Sequence, residues 1–438
     1  MDFPFNLNYQ EQLMNCKKVV LLCFFLTAAV FVFAGGGKDA SGSGKTTIYV
    51  SAWDVGTSED VSVYLKLKSE FEKLNPNIVI EYLDTPSTDY NQKLTVMLNG
   101  GSDVDVVWIK DGDTAPAYAQ RGQLADLGPY LARDNIDRSL FSGISDLTMN
   151  GKLIGLPVSS GYYLMFYNKD IFDMMGVPYP DNNMTWTEWE VLCARLSSGS
   201  GSNKIYGGFL HTWNACVQNW AVQDGKNTIV ADDYSFFKPY YEMALRLQKE
   251  GYIWDFGALR AGGISYGNAF LQGNVATLPM GSWFMRTIIN AKNEGSAKVQ
   301  NWGIATLPHP QGVPAGYTVG SMTPVAMNQA SKRKDAAWEY IKFITGPQGA
   351  AINVDMGSIP ARQTPETLKA IASWPGMPEG SAAALEVKNI VLDRPYMAIS
   401  QQINQMLGEE HSLIMLGETS IDQGLANMAR RSKEIQGK

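Results

Sequence analysis

Histidine is scarce in this sequence, with three residues in 438, and His211, His309 and His411 stand far apart. The two cysteines beyond the N-terminal apolar run, Cys193 and Cys216, do not cluster with them. No metal-ligand spacing results, so neither a catalytic zinc nor an imidazole base is expected. The same two cysteines leave open one disulfide or two buried thiols. Basic stripes are missing as well. The formal charge is −7, and Lys17 and Lys18 balance Asp2 and Glu11, so the remainder keeps that charge; a nucleic-acid partner is not expected. The apolar run Val19–Phe33, broken by Thr27, is shorter than the about 20 residues a membrane-spanning helix needs. No internal repeat is visible. Aromatic residues, by contrast, are plentiful. Eleven Trp and twenty Tyr suit a cleft that stacks on flat ligand faces.

The N-terminus reads as an export signal. A basic pair precedes the apolar run, and Val32 and Ala34 occupy cleavage-site positions before Gly35. Residues 1–34 are therefore expected to be removed, with Met14 as the start of translation. Lipid attachment would need a Cys directly after the small residues, where Gly35 stands; Cys23 inside the run is a poor substitute. Residues 35–45, rich in Gly and Ser, form a polar tether with too little apolar content to pack. The folded part begins near Thr46.

Strand and helix alternate from there. Ile48–Ala52 is a short apolar strand, and Tyr64, Leu67, Phe71 and Leu74 share one helical face. Ile78–Leu83 and Val104–Ile109 are the next strands, with a helix through Tyr90, Leu94 and Met97 between them. Parallel pairing through right-handed crossovers follows, giving an open α/β sheet. In such sheets the ligand crevice lies beyond the carboxyl ends of the strands. That rule nominates Trp53, Asp54 and Glu59 after the first strand, and Lys110, Asp111 and Asp113 after the third. Asp111-Gly112-Asp113 has the opening of a calcium loop but lacks its later ligands. A second α/β unit follows: a strand over Tyr162–Asn168, a helix opened by Thr185 and Glu188 at capping-box spacing, and strands over Val275–Met280 and Trp302–Leu307. From Lys332 onward the chain reads as mostly helical.

The order of motifs resembles the family 1 extracellular solute-binding proteins, relatives of maltose-binding protein. The stretches that carry this are Glu70–Asn77, Leu98–Val107, Arg121–Leu127, Asn150–Pro157 with Tyr167–Phe172, Thr185–Trp189, Phe270–Ala276 with Met280–Trp283, and Ser358–Arg362. Each is weak alone, and their shared order across nearly the whole mature chain makes the resemblance specific. It implies a two-lobed type II periplasmic-binding fold with the ligand cleft between lobes. The expected division is lobe 1 over 46–156 and 316–365, lobe 2 over 157–315, and C-terminal helices over 366–438 packed mostly on lobe 2. Hinge crossings are placed near Pro157, Gly316 and Pro365. The implied protein is an extracytoplasmic monomer without cofactor or catalysis. It captures a small solute, by this resemblance a carbohydrate, and delivers it to an ABC importer permease.

Sugar recognition uses aromatic rings under apolar sugar faces and planar polar groups for hydroxyls. Trp283, where strand gives way to helix after Gly281-Ser282, matches the position of a family cleft aromatic. Trp213, Tyr163, Gly320, Ser321 and Arg362 complete the expected contacts. Tyr162 and Tyr163 point to opposite faces of one strand, so only one lines the cleft. Trp186, Trp189, Trp302 and Trp338 are expected in the core. Two alternatives stand beside this reading. The same fold could hold a polyamine, glycerol phosphate or peptide; a phosphate would find only Arg362 and Lys110. A secreted glycoside hydrolase would also use aromatics and paired carboxylates.

Overall fold

A computed structural model describes residues 44–56, 62–87, 89–141, 143–362 and 364–438. The export signal, most of the tether and Glu59 lie outside them. No described helix is long and apolar enough to cross a membrane.

Residues 46–53 form β1, in which Ile48, Val50 and Ala52 are fully buried. Each buried Ile or Val contributes about 1.5–3 kcal/mol of hydrophobic stabilisation. The helix Val63–Leu74 buries Tyr64, Leu67 and Phe71, the face its spacing predicts. Its N-cap, Ser62, accepts from the Leu65 amide. Strand β2 (Ile78–Thr85) runs parallel to β1, and β3 (Val106–Trp108) flanks β1 parallel on the other side. Thr148–Met149 and Lys152–Leu153 form a small hairpin, β4 and β5.

The long β6 (Leu156–Asn168) pairs antiparallel with β7 (Thr277–Gly281) and β8 (Trp302–Thr306) through its second half. Its first half pairs with β9 (Tyr317–Met327), and β10 (Asn389–Leu392) adds to β9 in parallel. β9 also pairs antiparallel with β3, which joins all the strands but the β4–β5 hairpin into one eight-stranded sheet.

Two hydrophobic cores share that sheet. One is built from Ile48–Val158 and Val325–Ile352, the other from Tyr162–Val319 and Val354–Met428. The chain therefore passes between cores inside β6, inside β9, and between Ile352 and Val354. At the first passage the β6–β9 register shifts between Pro157 and Ser159, an irregularity that bends a strand locally. Opposite, a Cβ on Gly320 would stand 2.4 Å from the Gly161 carbonyl oxygen. The two hinge strands touch there backbone to backbone.

The first core is tied by a polar clasp. Asp105, fully buried, accepts from the Tyr49 amide, Ser331 Oγ and Arg333 Nε. The second is dominated by aromatics: Trp186 and Trp220 stack at 4.6 Å, and Trp189 donates to Thr277 Oγ1. The capping box at Thr185–Glu188 has both halves in place. Cys193 and Cys216 are buried free thiols, which decides between the two readings left open above. Trp186, Trp189, Trp302 and Trp338 are all buried, as their spacing predicted.

Candidate functional site

Where β3 ends, the chain turns through Lys110 and Asp111 into a single 3-10 turn, Gly112–Thr114. Thr114 Oγ1 donates back to the Asp111 carbonyl. Lys110 Nζ donates to the Ser87 carbonyl, and the Asp111 carboxylate accepts from Asn91. Asp113 is different. It is 8 % exposed, and among the described residues no other residue donates to its carboxylate. Burial, reinforced by the charge of Asp111 and opposed by that of Arg394, pushes its pKa up to about 6. A carboxylate so placed awaits a donor, because a buried polar group left unpaired is costly.

Across from this loop stands an aromatic wall built on the second core. Tyr163, near the middle of β6, meets Trp220 and Trp283 edge-on at 5.4 and 5.7 Å. Trp283 follows β7 and donates its indole N–H to the Tyr266 hydroxyl at 3.2 Å. Its ring lies over Gly281, where a Cβ would stand 2.0 Å away, and against Gly161. The glycines give the indole a bed, and it remains 39 % exposed. Trp213, 41 % exposed, packs on His211 at 4.5 Å and on Tyr266 at 5.5 Å. Tyr266 thus links both tryptophans into one surface. Burial holds His211 well below the usual imidazole range, at about 4, so this wall is uncharged at neutral pH.

A cavity of about 480 Å³ lies between the loop and this wall. Lys110–Thr114 line it from the first core, Tyr163 and Trp213–Ala215 from the second, and Ser321 from the hinge. A smaller chamber of about 180 Å³ is lined by Ser159–Gly161, Ser282, Trp283, Ser321, Thr323 and Gly357–Ile359. Ser321 belongs to both. A third hollow of about 620 Å³ lies on first-core residues around Gln120, Lys152 and Gln329, with no aromatic ring in its lining; it lacks the stacking faces of the other two.

Six of the residues nominated from sequence meet in the 480 Å³ cavity: Lys110, Asp111, Asp113, Tyr163, Trp213 and Ser321. Trp283 lines the adjoining chamber. Trp53 packs on Tyr64 and Tyr90, at 5.9 and 5.2 Å, and lines neither. Asp54, with a left-handed φ of 46°, accepts from the Ser87 amide and also lines neither. Gly320 sits in the hinge contact behind the cavities, and Arg362 lines neither of them.

The remaining wall was not anticipated. β10 delivers Asp393, Arg394 and Tyr396 to the cavity, and the following helix, Ser400–Met415, adds Gln401 and Asn404. Arg394 Nη1 donates to Asp393 Oδ2 at 2.7 Å, and the Asp393 amide donates to the Gly320 carbonyl. Tyr396 donates to the Met322 carbonyl at 3.1 Å. Four apolar-rich residues in a helix-rich tail carry little strand signal, though Asp393-Arg394-Pro395 directly after Ile390–Leu392 was the available cue.

Two lobes on a shared hinge, with a ligand-sized cavity between a polar loop and an aromatic wall, define a two-lobed binding protein. The profile of the bacterial extracellular solute-binding proteins matches residues 56–351, and the chain belongs to that family. A sugar transporter from Rhizobium etli, solved in an open conformation, is 39 % identical. The match covers 89 % of this chain and 99 % of that one, with a TM-score of 0.82. The lactose-binding protein of Rhizobium radiobacter is 24 % identical over 336 residues, 73 % of this chain and 74 % of its own. A maltodextrin-binding protein of Bacillus subtilis is 22 % identical over 368 residues, 78 % and 79 % respectively. The last two of these relatives are binding proteins.

Proposed function

We propose that the protein captures a carbohydrate outside the cytoplasmic membrane and hands it unchanged to the permease of an ABC importer. The observation that carries this is the pairing of two unlike walls around two adjoining cavities. Asp113 and its neighbours supply acceptors and donors for hydroxyls, while Trp213 and Trp283 supply apolar faces of ring size. The family and the sugar-binding names of its relatives support the same reading. In this reading the contacts are Asp111, Asp113, Tyr163, Trp213, Trp283 and Ser321, with Asp393 and Arg394 added. The first core is one lobe and the second core, with the C-terminal helices, the other; closure bends β6 and β9. The protein works as an exported monomer.

A thermal-shift screen of sugars, polyols and polyamines on the purified protein tests the ligand class, followed by chromatography of the recovered ligand. A sugar that raises the melting temperature and returns intact supports the proposal. Stabilisation by polyamines alone would instead assign the carboxylates Asp111, Asp113 and Asp393 to an amine ligand. Cleavage of the sugar would make the protein a hydrolase.

A further inference from the structure

The 480 Å³ cavity carries more negative than positive charge. Among the described residues that line it, the carboxylates are Asp111, Asp113 and Asp393, and the cations are Lys110 and Arg394. Three against two leaves a formal excess of one negative charge. Hydrogen bonding places that excess. Asp111 accepts from Asn91 Nδ2, and Asp393 accepts from Arg394 Nη1 at 2.7 Å and from Asn219 Nδ2 at 3.4 Å. Lys110 Nζ is turned to the Ser87 carbonyl at 2.8 Å. Both cations are therefore committed. Asp113 is left, 8 % exposed and with no donor from another described residue. It is ionised at neutral pH, since burial raises its pKa only to about 6.

A hydroxyl would give this carboxylate one hydrogen bond and leave its charge uncompensated. An ammonium supplies several N–H donors together with the missing positive charge, and buried charges are stable when they are paired. In the same cavity Tyr163 and the exposed Trp213 offer aromatic faces, which accept both the apolar face of a sugar ring and a cation. The adjoining chamber differs. Its described lining is hydroxyl side chains, glycine, Ile359 and Trp283, with no charged residue. The buried Ser160 Oγ there has no partner. Charge is thus discriminated in the 480 Å³ cavity, and neutral hydroxyls are received in the chamber.

We infer that the protein selects a sugar bearing a free, protonated amine, with the ammonium seated on Asp113. This rests on the carbohydrate reading above. The test is isothermal titration of the unmodified protein at neutral pH against glucose, galactose and mannose. Each is offered as the parent sugar, with an amine at the second or the sixth carbon, as the N-acetyl form of that amine, and as the uronic acid; putrescine and spermidine complete the panel. The best amino sugar should bind about tenfold to a hundredfold more tightly than its own parent. N-acetylation removes the charge and should return affinity to the level of the parent or below. The uronic acid sets carboxylate against carboxylate and should bind most weakly. In Asp113→Asn, with its melting curve checked, the amino sugar should come within about threefold of its parent. The panel on the unmodified protein decides the matter even if that variant does not fold. A parent sugar or an N-acetyl form bound as tightly as the amino sugar overturns the amine site and leaves the carbohydrate reading standing. So does a neutral sugar found by the thermal-shift screen when every amino sugar fails. Binding of the polyamines alone, or of nothing in either panel or screen, overturns the carbohydrate reading, and this inference with it.

Discussion

The two walls of the cleft are made by opposite means. The first lobe presents charge from a loop at a strand end, and every side chain on it except Asp113 is held by a neighbour. The aromatic wall of the second lobe presents rings with no charge, supported on glycine backbone and on each other. Their interiors repeat this arrangement. The first core is closed by the buried Asp105–Arg333 clasp, the second by stacked indoles. Polar groups are thus spent on orientation at one wall and on structure behind it, while aromatics do both in the other lobe. The lesson is that residue type alone does not separate site from scaffold. Tryptophans a few residues apart, Trp213 and Trp220, have different work.

The largest effects should come from the interiors. Asp105→Ala strips the Tyr49 amide and Ser331 Oγ of their buried acceptor and leaves Arg333 paired with Asp103 alone, and should cost about 3–5 kcal/mol of stability by denaturant unfolding. Trp220→Ala, which empties a fully buried site, should cost about the same. A loss below about 1 kcal/mol for either would show that its lobe relies on other contacts.

Asp113→Asn should separate binding from stability. Loss of a charge-assisted acceptor should weaken ligand binding by about 1.5–3 kcal/mol, read by titration. The sign for stability is opposite. The folded carboxyl titrates at about 6, above its ordinary value near 4, so the ionised form destabilises the fold. That penalty is absent below about pH 4, grows as pH rises from about 4 to 6, and is complete above. The variant should therefore melt higher than the parent above pH 6, and the difference should vanish near pH 4. Equal melting at all pH values would mean that Asp113 is not desolvated as described.

Trp213→Ala and Trp283→Ala should have smaller effects on the other wall. Each stacked ring is worth about 0.5–1.5 kcal/mol beyond area burial, so affinity should drop several-fold while melting stays nearly constant. Trp53→Ala is the control, since its ring packs on Tyr64 and Tyr90. It should lower melting and leave affinity within about twofold. A reversed outcome would move the ligand to the end of β1, beside Asp54.

How much was legible follows from how local each signal is. The strands at Ile48–Ala52 and Ile78–Leu83, the helix carrying Tyr64, Leu67 and Phe71, and the capping box at Thr185 each declare themselves within one element. Periodicity and cap chemistry act over a few residues. Trp283 was readable from its place after Gly281-Ser282 and from the family resemblance, and the structure adds that its indole lies on Gly281. The strand-end rule located the Asp111–Asp113 loop but could not distinguish it from Trp53, which leaves a neighbouring strand and turns inward.

The sequence by itself therefore determined the α/β alternation, the composition of each core face and the loop that carries Asp113. Tertiary structure alone decided which of these meet. β10 has only four residues and becomes a strand by pairing with Tyr317–Gly320, far away in the chain. That pairing brings Asp393, Arg394 and Tyr396 to the cavity. Backbone hydrogen bonding along a strand edge is nearly indifferent to side chains, so no local pattern foretells which edge a short segment will join. The cavity has these three side chains because the β9 edge was open at the hinge, and that is a property of the folded sheet.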